Sequence, residues 1–284
     1  MSNMRIGLKN LSDSGTVSVT GPTTASGAPA SNLQSPLRGR IWAASNTATA
    51  AVFTADLGTD QVVDSMALFG LPICRDGSGS RLGFTVKFDL QFGNGVSMSS
   101  ATVTYPSGNK SASGVVVAGG MFPADPAAYP TQNDAESLVL LAFCTSITIR
   151  KVVITVTYAT PVSWQASRLW VGSCWTPTYN CEAGAGITLS PQARIVRTAG
   201  GSVRRILQPG YKTCRLTLTR LSAPEVETLF YHYTSSWTAR EVLVALYPET
   251  SRVAQVMMGT LSDLTHIGED LHGNHSASFA FEGS

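Results

Sequence analysis

Only one stretch of this chain has helical periodicity, and it stands among strands. In Leu221–Trp237 (LSAPEVETLFYHYTSSW), Ser222 is a good N-cap and Glu225 lies three residues on, where a capping box wants it. Leu221 and Val226 can close a hydrophobic staple, and Pro224 falls in the first turn, where its missing N–H is harmless. Val226, Leu229, Phe230 and Tyr233 follow the i, i+3, i+4, i+7 rule and make one apolar stripe. A lone amphipathic helix must bury its stripe on something, and the only candidate here is a sheet. The spacing predicts a helix over about 223–236 with the C-terminal strands arranged around it.

The rest of the chain alternates. Arg81–Gln91 has the cleanest period-2 pattern, with Leu82, Phe84, Val86, Phe88 and Leu90 on one face and Gly83, Thr85, Lys87 and Asp89 on the other. Val52-Phe53 opens a strand that ends at Asp56-Leu57-Gly58, and Val62–Phe69 forms the next, stopped by Gly70. Ser137–Phe143 and Ser146–Tyr158 are β runs, and the Arg150-Lys151 pair breaks their phase as a bulge or hairpin turn would. Gln165–Gly172 adds one more strand, whereas Ser97–Pro130 is Gly/Ser/Pro-rich, with weaker strands at Ala101–Tyr105 and Gly114–Val117, and reads as an excursion from the core. Strands every ten to fifteen residues with no helix between them argue for an antiparallel sandwich rather than a βαβ fold.

Ser173–Ser190 loses this periodicity, which divides the chain into a sandwich over 1–175, a connection over 176–190 and a small α+β domain over 191–284. In the last of these, Ala193–Thr198 and Ser202–Leu207 flank Ala199-Gly200-Gly201 as a hairpin. The fold class expected is thus mainly β.

Of the 284 residues, 43% are apolar, enough for real cores. Charged residues make up 13%, well below the roughly 25% usual in globular chains, which suits a surface partly covered by neighbours. Before Trp175 there are 11 basic and 9 acidic residues, and after it 9 and 9, so the overall balance makes no case for a nucleic-acid partner. The N-terminus lacks the apolar core of a signal peptide and no run approaches the ~20 residues of a membrane span. The expectation is folding in the compartment of synthesis, with five reduced cysteines.

No constellation points to catalysis. There is no G-x-S-x-G elbow, no cysteine sits in a nucleophile motif, and Glu136 is the sole glutamate of the sandwich half. Cys174 and Cys181 are not spaced as C-x₂-C, and His266, His272 and His275 near Asp270 lack the i, i+4 helical setting of a zincin. Gly77-Ser78-Gly79-Ser80 has no following lysine and reads as a turn. No catalytic residue, metal ligand or cofactor is expected.

Two stretches resemble known families. Arg40-Ile41-Trp42, the strand ending Ala55-Asp56-Leu57-Gly58, then Val62–Leu68 and a closing Arg168-Leu169-Trp170-Val171-Gly172 resemble galactose-binding-like (discoidin-like) jelly rolls. The order Gly200-Gly201, Leu216/Leu218/Leu221, the Ser- and Glu-opened helix, Val242–Pro248 and Ser278–Glu282 is similar to domains of tailed-bacteriophage tail proteins. The resemblance implies a structural component of the virion, made in the bacterial cytoplasm and built into the distal tail or baseplate. Its implied partners are other tail proteins and copies of itself, without a nucleic-acid partner. The alternative it implies is carbohydrate binding, with a host-surface glycan at the sandwich loops.

For that alternative, Arg38 and Arg40 offer guanidinium donors and Trp42 a stacking face, while the plainer reading makes Trp42 a core plug. Arg204 and Arg205 pair with acids of an adjacent subunit or line a solvated strand face, with nothing in the sequence to choose between the two.

Overall fold

A computed structural model describes residues 4–36, 40–72, 74–77, 82–105, 115–118, 127–130, 137–182, 185–197, 203–232, 234–235, 240–246, 256–269 and 275–283. The chain divides into two compact units. One runs from Gly7 to Trp175, and the other holds Thr176–Pro248 and Gln255–Ser284 together with the N-terminal residues through Ile6.

The first unit is an antiparallel sandwich built on two long strands, Ala48–Pro72 and Ser137–Val162. Each is long enough to serve both layers. The outer halves, from Ala50 to Asp56 and from Lys151 to Thr157, pair with each other and with Thr16–Thr20 and Phe84–Gln91. The inner halves pair with each other and carry Arg168–Gly172 on one side and Ala127–Pro130 on the other. Between Asp56↔Lys151 and Gln61↔Ile149 the register slips. Four residues of the first strand, Leu57–Asp60, face the single Arg150, an excess of three, so the bulge expected at Arg150-Lys151 lies opposite that pair. Gly58 takes φ 78° there, which a glycine adopts freely. The two strands expected on either side of Gly58 are therefore one, bent by a bulge. Ser137–Phe143 and Ser146–Tyr158 likewise form one strand.

The period-2 faces hold. Val86, Phe88 and Leu90 are fully buried, as are Phe53, Ile154 and Val156 opposite them, and together with Trp42, Met66 and Leu68 they fill one core. At ~25 cal/mol per Å² of apolar area, residues of this size contribute roughly 1.5–3 kcal/mol each. A buried polar latch ties the segment before Thr16 to the last strand. Arg168 grips Asp13 with both guanidinium nitrogens (2.8 and 2.9 Å), while Asn10 donates to the Leu169 carbonyl and accepts from the Val171 N–H. Ser12 also donates to the Leu169 carbonyl.

In the second unit the sheet order is Arg5–Gly7, Val242–Ala245, Val256–Glu269, His275–Gly283, Val203–Leu221, Gly186–Arg197, all antiparallel where paired. The first strand of the chain thus lies beside Val242–Ala245, not in the sandwich where the 1–175 division had put it. Residues 186–190, expected in the connection, are already strand.

The helix spans Ala223–His232, and the end of the expected range falls partly outside the described residues. Glu225 accepts from the Ser222 backbone N–H (2.8 Å) and hydroxyl (2.7 Å), and its other oxygen accepts from the Thr178 N–H (2.7 Å). Leu229 is buried and Val226 half-buried, but Phe230 is 55% exposed. Phe230 thus leaves the expected stripe, while Tyr233 lies outside the described residues. Arg220, at φ 60°, marks where the strand loses register before the helix, a left-handed setting that costs a non-glycine residue about 1–2 kcal/mol. Among the described residues no helix is long and apolar enough to cross a membrane.

Candidate functional site

The first predicted site comes apart. Arg38 lies outside the described residues, and Arg40 is exposed just before the short strand Trp42–Ala43. Trp42 has no exposed surface. Its ring meets Phe53 edge-on at 5.3 Å, and its indole N–H donates to the Thr24 hydroxyl at 3.2 Å. A ring sealed in this way cannot stack on a sugar, so Trp42 is the core plug.

A different polar cluster forms at the bulge of the two long strands. Asp56 accepts from Arg150 Nε (3.1 Å) and from the Gly58 N–H (2.9 Å), and Lys151 stands 3.5 Å from its other oxygen. Burial works to raise the Asp56 pKa, but the Gly58 N–H, the hydrogen bond from Arg150 and the two cations outweigh it and hold the carboxyl below its ordinary value. Arg150 lies against Gly93, where a Cβ would meet its Cδ at 2.9 Å. Gly93 belongs to the tight turn closed by Phe92 N–H to Val96 carbonyl (3.0 Å), and Phe92 is 39% exposed there. The turn that bears this exposed ring thus abuts, at Gly93, a guanidinium paired with a carboxylate. The sequence signal was Asp56-Leu57-Gly58 facing a basic pair, which pattern reading took only for a phase break.

The second unit carries the other predicted pair. Arg204 and Arg205 fall on Val203–Leu221, opposite Val196 and Ile195 of Gly186–Arg197. That hairpin outruns its sheet, since His275–Gly283 pairs with Val203–Leu221 only from Thr213 onward. Residues 189–197 and 203–212 therefore form a two-stranded arm, roughly 30 Å long at ~3.3 Å per residue. A bulge interrupts it at Pro191.

At the base of the arm a groove of about 830 Å³ opens on the polar face of the sheet, lined among others by Glu182, Thr213, Arg215, Asp263, Ser278 and Glu282. Alternation makes this face largely polar, because the side chains of Cys214, Leu216, Phe279 and Phe281 are buried, although the last three also border the groove. Burial, and then the charge of the Cys181 thiolate, push the Cys214 thiol up to about 12.

Among the described residues no three His, Cys, Asp or Glu side chains gather as a metal site. Of the residues weighed for one, His272 and Asp270 lie outside the described set.

The chain matches no family model and no curated protein. Solved structures similar to it include a GH29 fucosidase of Ruminococcus gnavus in complex with fucose, at 16% identity and a TM-score of 0.37 over 59% of this chain. Another is CpGH89CBM32-4 of Clostridium perfringens, at 18% identity and 0.36, covering 58% of this chain and 99% of that one. A third is the chitosan-binding module 1 of a chitosanase/glucanase from Paenibacillus sp. IK-5, at 15% identity and 0.35, covering 58% and 99%. This chain spans about a quarter (27%) of the length of the fucosidase. At these scores the likenesses decide nothing about ligand or partner, and the sandwich stands on its own strand pairing.

Proposed function

We propose that this chain is a structural component of a tailed phage virion, at the distal tail or baseplate, which works by assembly rather than catalysis. The arm carries this reading. Its two strands run past their own sheet, and among the described residues neither outer edge of the overhanging part meets another strand. A lone two-stranded ribbon is marginal in water, and its unpaired N–H and C=O rows are a template for another chain. The virion setting rests on the sequence order resembling tail proteins, and the strands and helix of that order are in place in one unit. None of the solved structures named above is a tail protein. The test is antibody decoration of intact particles together with the size of the purified chain at high concentration. Decorated tail tips and an oligomer are expected; a monomer and bare particles end the reading.

A second reading, glycan capture by the sandwich, is favoured by the exposed Phe92 beside Arg150 and Asp56, since an aromatic face with a few convergent polar groups is what a sugar site uses. On a glycan array it expects binding that Phe92→Ala and Arg150→Ala abolish. Absence of binding at millimolar ligand removes this reading and leaves assembly intact.

A further inference from the structure

The charges after Trp175 are segregated along the chain. The two strands of the arm, residues 189–197 and 203–212, hold Arg194, Arg197, Arg204, Arg205 and Lys212 and no acid at all. The rest of residues 176–284 holds nine acidic residues against four basic ones. The arm is thus five charges positive and the body that bears it five negative. For the whole chain the net is only +2, so the near-neutral total hides a strong dipole of sequence.

The structure gives the negative part a receiving surface. Three of its acids, Glu182, Asp263 and Glu282, line the groove at the foot of the arm, with Arg215 as the single base among the lining residues, and all three are exposed. Low-dielectric walls around like charges focus the field toward an incoming cation. The groove is lined by Thr213–Thr217 of the same strand that continues into the arm. A bulge bends a strand but does not reverse it, so the arm leads away from its own groove. Contact between basic arm and acidic groove has to be made between molecules.

We infer that the basic arm of one copy docks on the acidic groove of the next copy, head to tail. This deepens the assembly reading above by naming the partner, a second copy of this chain, and both surfaces. The contact uses different patches on the two copies, so repetition closes a ring or extends a file of subunits. Charge pairing fixes the direction, and the open strand edges of the arm supply further hydrogen bonds.

The full chain is examined by analytical ultracentrifugation at about 50 mM and about 500 mM salt, which shortens the Debye length several-fold. Association at low salt that weakens at high salt is expected. Arg204→Glu/Arg205→Glu and, separately, Asp263→Arg/Glu282→Arg each weaken it by about tenfold or more, through like-charge contact. Mixing the two variants is the decisive arm. In a head-to-tail contact the unchanged arm of the groove variant meets the unchanged groove of the arm variant, and the reversed arm meets the reversed groove, so the mixture regains alternating assembly that neither variant shows alone, as does one chain that carries both changes. Circular dichroism checks that each variant folds, and Arg204→Gln/Arg205→Gln with Glu282→Gln replaces any that does not, with weakening in the same direction.

A chain that stays monomeric at low salt overturns the inference, as does loss through the arm change with none through the groove change. Binding of duplex DNA that needs Arg204 and Arg205, without self-association, overturns it in favour of a nucleic acid. A monomer that still decorates phage tails refutes this contact alone and leaves the assembly reading standing.

Discussion

The sandwich and the arm-bearing unit are both antiparallel sheets of one chain, and they solve the problem of exposed strands in opposite ways. The sandwich closes its polar groups on itself. Its first segment is held to its last strand by the Asn10, Ser12, Asp13 and Arg168 network, and its one buried tryptophan near the predicted loop site finds a hydroxyl for its N–H. The second unit leaves a ribbon of backbone without neighbours on its outer edges among the described residues. On the assembly reading proposed above, the first body is finished when it folds and the second when it meets another chain. It also says where substitutions act, on stability in one and on association in the other.

Four experiments can break or sharpen that contrast. The largest effect belongs to Trp42→Ala, which empties a fully buried site and costs the sandwich about 3–5 kcal/mol in urea denaturation. A loss under 1 kcal/mol contradicts its burial. Next is Arg168→Ala, which takes the guanidinium from Asp13, leaving it the Asn10 amide, and removes one donor from the Leu33 carbonyl. Because Asp13 retains 34% of its side-chain exposure, water compensates in part, and a loss of about 2 kcal/mol is expected by the same measurement.

Glu225→Gln comes third, at about 1 kcal/mol, since one carboxylate serves both the helix start and the Thr178 N–H. Its pH dependence has a definite sign. Burial works to raise the Glu225 pKa, the Thr178 and Ser222 donors outweigh it, and the folded value lies below the unfolded one. The stabilisation is complete above the ordinary glutamate range and fades as pH falls through the lower folded value. Helix ellipticity followed down through that range in wild type and Glu225→Gln checks it, and identical acid profiles refute it. The smallest effect is that of Arg204→Ala/Arg205→Ala on the stability of the monomer, within about 0.5 kcal/mol. A large loss there means the arm is secured within its own molecule, and the contrast collapses.

Much of this was legible in the residues. Strict alternation gave the buried faces of Phe84–Gln91 and of the strands around Phe53 and Ile154, and Ser222 with Glu225 located the helix start. Gly200-Gly201 marked the hairpin whose strands now pair from Gly186 to Arg197. What escaped were pairings between distant segments. Nothing local in Arg5-Ile6-Gly7 names Val244 and Ala245 as neighbours, and nothing near Asp13 names Arg168. Periodicity also assigns a face without saying how much of it is covered, so Phe230 was placed in a stripe from which it is exposed. The candidate sites fared worse than the fold. Tryptophan beside arginines looks the same in sequence whether it plugs a core or meets a sugar, and the Phe92, Arg150 and Asp56 cluster draws on segments almost a hundred residues apart.

The pairing of Arg5–Gly7 with Val242–Ala245 has a consequence for synthesis. That first segment leaves the ribosome before any of its companions exist, and it must wait while the whole sandwich emerges and folds behind it. Joining segments so remote is slow, so the newborn second unit passes through a period with a strand's place vacant. A bulky insertion just before Arg5 would therefore disturb the body made last, although it is attached to the part made first.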